Sequence, residues 1–248
     1  MGSISKIEWT ESTWNPVTGC TKITEGCTNC YAYAMAKRLK AMGNPRYKNG
    51  FEVTIHEDLL ELPLLWKKPR TIFVNSMSDL FHEKVPNEFI LKVFKVMNKT
   101  PWHRYQILTK RSSRLLEISP FVKWSPNIWQ GVTVENNLAM DRIQDLKKIP
   151  SNVRFLSLEP LIGPVTGIDI SDMHWVIVGG ESGPRARPMK VDWVREIRDL
   201  CIQKNIPFFF KQWGGVQKQR NGRILDCKTW DEYPEPNNNF SKLNTLFG

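Results

Sequence analysis

Gly19-Cys20-Thr21-Lys22-Ile23-Thr24-Glu25-Gly26-Cys27-Thr28-Asn29-Cys30-Tyr31-Ala32 carries three of the chain's five cysteines in a C-x6-C-x2-C spacing. The short gap between Cys27 and Cys30 lets both sulfurs face one centre as a helix begins. The longer gap before Cys27 gives Cys20 the slack to close a third corner. Glycines at positions 19 and 26 permit the backbone turns this requires. Three thiolates are a common number for holding an iron-sulfur cluster with one iron left open, whereas structural zinc normally takes four protein ligands. From Asn29 to Leu39 the residues are good helix formers, and Lys37 and Arg38 stand near the helix's negative end before Gly43.

An odd cysteine count with no secretory signal argues against a disulfide framework and points to a reducing cytoplasm. Zinc stays open as a reading, because C-x2-C is its commonest half-site and Cys201, Cys227 or a histidine could complete it. No second C-x2-C or H-x3-H follows, however. Cys201, between Leu200 and Ile202, reads as the core face of a helix, and Cys227 as part of a late loop.

Working outward, apolar strands are expected at Thr71–Asn75, Tyr105–Thr109, Ile128–Val134, Val153–Leu158, Trp175–Val178 and Ile206–Phe210, with a further short strand before the cysteine loop. Helices are expected at Asn87–Met97, Ser112–Ile118, Asn137–Lys147 and Asp192–Gln203. Buried strands alternating with amphipathic helices give a parallel sheet covered by helices, and 248 residues suffice for one such domain. No apolar run has the length of a membrane span.

Polar residues follow the strands in turn: Asn75, Ser76, Ser78 and Asp79; Thr109, Lys110 and Arg111; Glu135 and Asn136; Glu159; Glu181 and Ser182; Lys211 and Gln212. Any one of these could be a helix cap or a solvated loop residue. Repeated at the carboxyl ends of parallel strands, they would converge on one mouth. In Gly179-Gly180-Glu181-Ser182-Gly183-Pro184-Arg185-Ala186-Arg187 the glycines allow close approach to a ligand, and the arginines could meet a carboxylate or phosphate. Neither a dinucleotide fingerprint nor a P-loop is present. Arg220–Ile224 is expected to form a hairpin turn and Tyr233–Asn239 a loose cap, so that 216–248 packs on the domain formed by 1–215. A formal charge of +10, with aromatic residues at 11%, suits phosphate backbones and stacked bases.

The cysteine loop, its helix and the alternating units resemble the radical S-adenosylmethionine superfamily. Ser76-Met77-Ser78-Asp79-Leu80-Phe81 and Leu108-Thr109-Lys110-Arg111 are similar to segments of its spore-photoproduct-lyase-like branch. Trp14-Asn15-Pro16-Val17-Thr18-Gly19-Cys20 and Val178-Gly179-Gly180-Glu181-Ser182-Gly183 resemble a family of phage- and bacterium-borne proteins. The first cysteine gap is wider than the superfamily's usual three residues, and Asn29 stands where an aromatic is usual, with Tyr31 expected to take over that aromatic's packing.

This resemblance implies a partial (β/α)6 TIM-type barrel in which Cys20, Cys27 and Cys30 hold a 4Fe-4S cluster whose fourth iron takes S-adenosylmethionine. Reductive cleavage would give methionine and a 5'-deoxyadenosyl radical that abstracts a hydrogen atom. By strand order, Asn75, Ser76 and Ser78 would hold the methionine end, Lys110 its carboxylate, and Glu135 and Asn136 the ribose. Asp79, Glu159, Glu181 and Arg185 are left for substrate, expected to be a nucleobase or nucleic acid, with an external electron donor. The rival readings are a zinc-stabilised nucleic-acid-binding protein and an iron-sulfur sensor or electron-transfer protein.

Overall fold

The computed structural model describes Ser5 and residues 7–234. In chain order the elements are β1 (Ser12–Trp14), β2 (Val17–Thr18), α1 (Tyr31–Ala41), β3 (Thr54–Ile55), β4 (Thr71–Val74), α2 (Asn87–Lys99), β5 (Arg104–Thr109), α3 (Ser112–Ile118) and β6 (Ile128–Thr133). They continue with α4 (Asp141–Lys147), β7 (Val153–Leu158), β8 (Trp175–Gly179), α5 (Val191–Lys204), β9 (Phe208–Gln212), α6 (Lys218–Asn221), β10 (Ile224–Leu225) and β11 (Lys228–Thr229). Seven strands pair in parallel in the order β1-β4-β5-β6-β7-β8-β9. The sheet curls into a half-barrel, the partial TIM-type α/β architecture expected, with β1, the short strand expected before the cysteine loop, as its seventh strand. The pair β2–β3 is a separate antiparallel ribbon.

Alternation along each strand divides the core. Ile72, Val74, Ile107, Val132, Leu156, Val176, Val178, Phe208 and Phe210 pack with α2–α5 on the outer face. Phe73, Trp129, Phe155, Trp175, Ile177 and Phe209 project to the inner face, joined by Trp9. Aromatic rings therefore fill the lower half of the concave side. Polar residues at the carboxyl ends of the strands rim the upper half.

Three local expectations are revised. β9 begins at Phe208 rather than Ile206; Pro207 has no N–H for the ladder, although its carbonyl accepts from the Val176 amide at 3.0 Å. The helix expected over Asn137–Lys147 divides into a 3-10 turn at Asn137–Ala139, capped by the Asn136 side chain, and α4. The hairpin turn falls at Asp226–Cys227, both with positive φ, while Arg220 and Asn221 end a short helix. Of the expected Tyr233–Asn239 cap, residues from 235 onward lie outside the described part. No helix among the described residues is long and apolar enough to cross a membrane.

Candidate functional site

The cysteine loop is strapped across the mouth of the half-barrel by its own backbone. The Gly19 amide donates to the Met77 carbonyl at 3.0 Å and the Cys20 amide to the Phe51 carbonyl at 3.2 Å. Gly19 has φ +85, and a Cβ there would lie 2.1 Å from the Glu52 carbonyl oxygen, so only glycine fits. Cys30 is the residue immediately before α1. Cys20, Cys27 and Cys30, all free thiols, line one cavity of about 410 Å³ together with Asn75, Ser76, Ser78, Asp79, Lys110, Glu159 and Glu181. Thus seven of the ten expected polar site residues share the cavity with the three cysteines.

Arg111, at the end of β5, fastens the first cysteine. Its Nη1 lies 3.5 Å from Cys20 Sγ and 3.2 Å from Asp79 Oδ2, its Nη2 donates to the Thr21 carbonyl and hydroxyl, and its Nε donates to Glu83 at 2.8 Å. Asp79 is buried and saturated: it accepts from the Thr109 hydroxyl, from the Phe81 and Lys110 amides and from Arg111. Burial, with the Asp79 charge adding to it, pushes the Cys20 thiol up to about 11 against the opposing pull of Arg111. A soft metal binding here would therefore displace a proton.

Behind the loop, buried Glu135 accepts from the Thr24 hydroxyl at 2.8 Å, from Arg142 at 2.9 Å and from Lys110 Nζ at 3.0 Å. Burial would raise this carboxyl, but the two cations and the Thr24 hydroxyl hold it below its ordinary value. Gly26 rests on it so closely that a Cβ would meet Glu135 Cγ at 2.5 Å. On the other flank Glu181 accepts from the Arg187 amide and guanidinium and from Asn29 at 2.9 Å, while Arg187 also donates to the Glu25 carbonyl. Burial opposes the ionised form of Glu181, and Arg187 outweighs it. Lys211 Nζ grips both Glu159 oxygens at 2.6 and 2.8 Å on the cavity wall.

Glu135, Asn136 and Arg185 are the expected residues that do not line the cavity. Glu135 and Asn136 face a shallow pocket behind the cysteine loop, where Asn136 caps the 3-10 turn. Arg185 is exposed, and its carbonyl receives Asn29. Tyr31 is 54% exposed on the cavity wall, with its hydroxyl donating to the Ser76 carbonyl, so it is not packed as a core aromatic. Thr24 is the pairing residue that the sequence pattern did not single out. Arg111 and Lys211 stood in the strand-end pattern and Arg187 among the arginines expected to meet a carboxylate or phosphate, but their partners were not legible in it.

By residue type, three cysteines on one cavity are the donor set of a three-thiolate iron-sulfur site. The sulfurs share a wall with an adjoining cavity, and a cation faces Cys20. Cys201 is buried against α5's core face and Cys227 is exposed at the hairpin tip, and neither lines the cavity. Among the described residues no group of three or more His, Cys, Asp or Glu side chains is gathered closely enough to hold a metal ion. Residues that line the cavity also carry fully buried polar atoms without a partner among the described residues: Asn75 Nδ2, Ser157 Oγ, Gln212 Oε1 and Trp9 Nε1. Such groups are costly unless a ligand or water engages them.

Fold and site together define an α/β half-barrel protein with a cysteine loop across its carboxyl-end mouth. Residues 4–234 match the family described as "Protein of unknown function (DUF5131)", and the chain belongs to that family. Among solved structures it is similar to a spore photoproduct lyase complexed with dinucleoside spore photoproduct, at 11% identity and a TM-score of 0.48, covering 80% of this chain and 63% of that one. A variant of that lyase with bound AdoMet and dinucleoside spore photoproduct matches at 11% identity and a TM-score of 0.47, with 80% and 63% covered. The chain thus spans less than two thirds of the length of these lyases. No curated protein matches the sequence.

Proposed function

We propose that this protein is an iron-sulfur enzyme that cleaves S-adenosylmethionine reductively and acts on a nucleobase or nucleic-acid substrate. The observation that carries the reading is the placement of three free cysteines on one cavity at the carboxyl-end mouth of a parallel half-barrel, with Arg111 against Cys20. Cys20, Cys27 and Cys30 would hold a 4Fe-4S cluster, which when bound supplies the electron that breaks a carbon-sulfur bond of S-adenosylmethionine.

The chain's own residues orient and enclose. Asn75, Ser76 and Ser78 line the cavity side by side, which suits the methionine end of the cofactor. Lys110 can reach a carboxylate there while it neutralises Glu135. Ser157 and Gln212 line the same cavity and would lie beside a nucleoside bound there. Asp79 and Glu135, with every oxygen engaged, act as positioning residues for the loop. Glu159 with Lys211, and Glu181 with Arg187, form the substrate-side wall, and Arg185 stands outside it. The unit 1–215 is the catalytic domain, and 216–234 packs on it.

The test is anaerobic reconstitution with iron and sulfide, followed by dithionite and S-adenosylmethionine and measurement of 5'-deoxyadenosine. Wild type should form it and Cys27→Ala should not. A colourless, zinc-loaded protein that forms none would remove the proposal.

A further inference from the structure

Helix α1 hides very little of itself. Only Ala32 and Ala36 are buried, while Tyr31, Tyr33, Met35 and Met42 are 54%, 42%, 42% and 69% exposed. Between Glu25 and Glu52 there is no acidic residue, yet Lys37, Arg38, Lys40, Arg46 and Lys48 fall there. Arg46 is paired with Asp58, but among the described residues no carboxylate pairs with Lys22, Lys37, Arg38, Lys40 or Lys48. Elsewhere the chain neutralises its arginines closely, as Asp226 does for Arg195 and Arg198.

Helical spacing places Tyr33, Lys37 and Lys40 along one flank. Lys22 and Lys37 sit 5.9 and 5.2 Å from the Tyr33 ring centre, and Phe51 meets that ring edge-on at 5.6 Å. Phe51 and Tyr31 also line the cavity, so this flank runs into its mouth.

We infer that the Tyr33–Lys37–Lys40 flank of α1, with Lys22, is a track for single-stranded nucleic acid that delivers one base to the cavity. Unneutralised lysines around an aromatic face match a phosphate backbone with unstacked bases, and a cavity of this size admits a base only after it leaves a duplex stack. The site deepens the nucleic-acid reading of the substrate, but its binding step needs neither cluster nor cofactor.

The test is fluorescence anisotropy of a labelled mixed-sequence 20-nucleotide single strand and its duplex, using the full chain at 50 and 200 mM salt. Lys37→Glu/Lys40→Glu should weaken single-strand binding about tenfold or more and lower the log-log salt slope by about two. Lys123→Glu/Lys204→Glu, a pair of exposed lysines remote in sequence from α1, should leave both unchanged. Tyr33→Ala should weaken binding without changing the slope. Circular dichroism checks that each variant is folded.

Absence of wild-type binding, equal losses in both lysine pairs, or a preference for duplex overturns the proposal. Undiminished binding by the α1 variant also overturns it and leaves an acidic protein as the occupant of this face. Nucleic-acid binding with no cleavage of S-adenosylmethionine would refute the enzyme reading alone, and cleavage without binding would refute the track alone.

Discussion

At the scale of single residues the site depends most on Arg111, which is 5% exposed in its side chain and paired with Asp79 at 8%. Removing one partner of a buried pair strands the other, at a cost of about 3–5 kcal/mol. Thr109 and two amides remain on Asp79, so Arg111→Ala is expected near the low end, about 3 kcal/mol in urea unfolding. Its iron per chain after reconstitution should fall well below wild type, and Arg111→Lys, which keeps the charge but not the fork, should recover stability more than iron. Unchanged iron in the alanine variant would remove Arg111 from the site. The other two cysteines make a second test. Burial pushes Cys201 up to about 12, so in metal-free native protein at pH 8 a thiol reagent should label exposed Cys227 at once and Cys201 only in urea. The cysteine triplet was legible in the sequence because its chemistry is carried by residue type and spacing. Arg111 was legible only as one of the strand-end residues, because its role depends on contacts that reach back to Cys20 and Thr21.

Among the elements, strands and helices were legible wherever one period dominated. Val153–Leu158 and Ser112–Ile118 have the expected boundaries: each is bounded by turn residues, the strand is a short apolar run buried on both faces, and the helix buries one stripe, Ser112, Leu115 and Ile118. The hairpin turn was misplaced because Asn221-Gly222 carries the stronger turn composition, while Asp226 and Cys227 adopt positive φ under the pull of tertiary pairing. That pairing is testable by pH. Asp226 is drawn down to about 2 by its bonds to Arg195 and Arg198, below its ordinary 3.8. A carboxyl depressed in the folded state stabilises fully above its unfolded value, and that stability is lost as pH falls from about 4 toward 2. Over this window the melting temperature of Asp226→Asn should decline less than that of wild type; parallel declines would show that the hairpin is held by its aromatic contacts alone. In the cysteine loop, Gly26→Ala forces a methyl into Glu135 and should cost about 1–3 kcal/mol, with a matching loss of iron. Full iron binding in that variant would show that the loop need not rest on Glu135.

Across the whole molecule, the half-barrel separates what stabilises from what reacts. Its lower pole is an aromatic plug whose open side is closed by the segment after β11. The Phe210 amide donates to the Trp230 carbonyl, the Phe208 amide to the Glu232 carboxylate and the Trp175 indole to the Glu232 carbonyl. Tyr233 then stacks on Trp175 at 4.5 Å and meets Phe209 at 5.6 Å. This segment occupies the hydrogen-bonding edge of β9, which an open parallel sheet would otherwise leave unpaired. The upper pole carries the cysteines and the cavity, and little of the barrel's apolar packing passes through it. Tyr233→Ala should therefore cost about 2 kcal/mol, less than the ~3–5 kcal/mol of a fully buried aromatic because the ring is 36% exposed, and should leave iron content unchanged. Cys27→Ala should do the reverse, abolishing iron retention while shifting metal-free stability by less than about 1 kcal/mol, because its side chain is only partly buried. Paired urea titrations and iron assays on the two variants decide the matter. If Tyr233→Ala loses iron in proportion to its stability, the poles are one cooperative unit, and iron loss in mouth variants can no longer be assigned to the loss of a ligand.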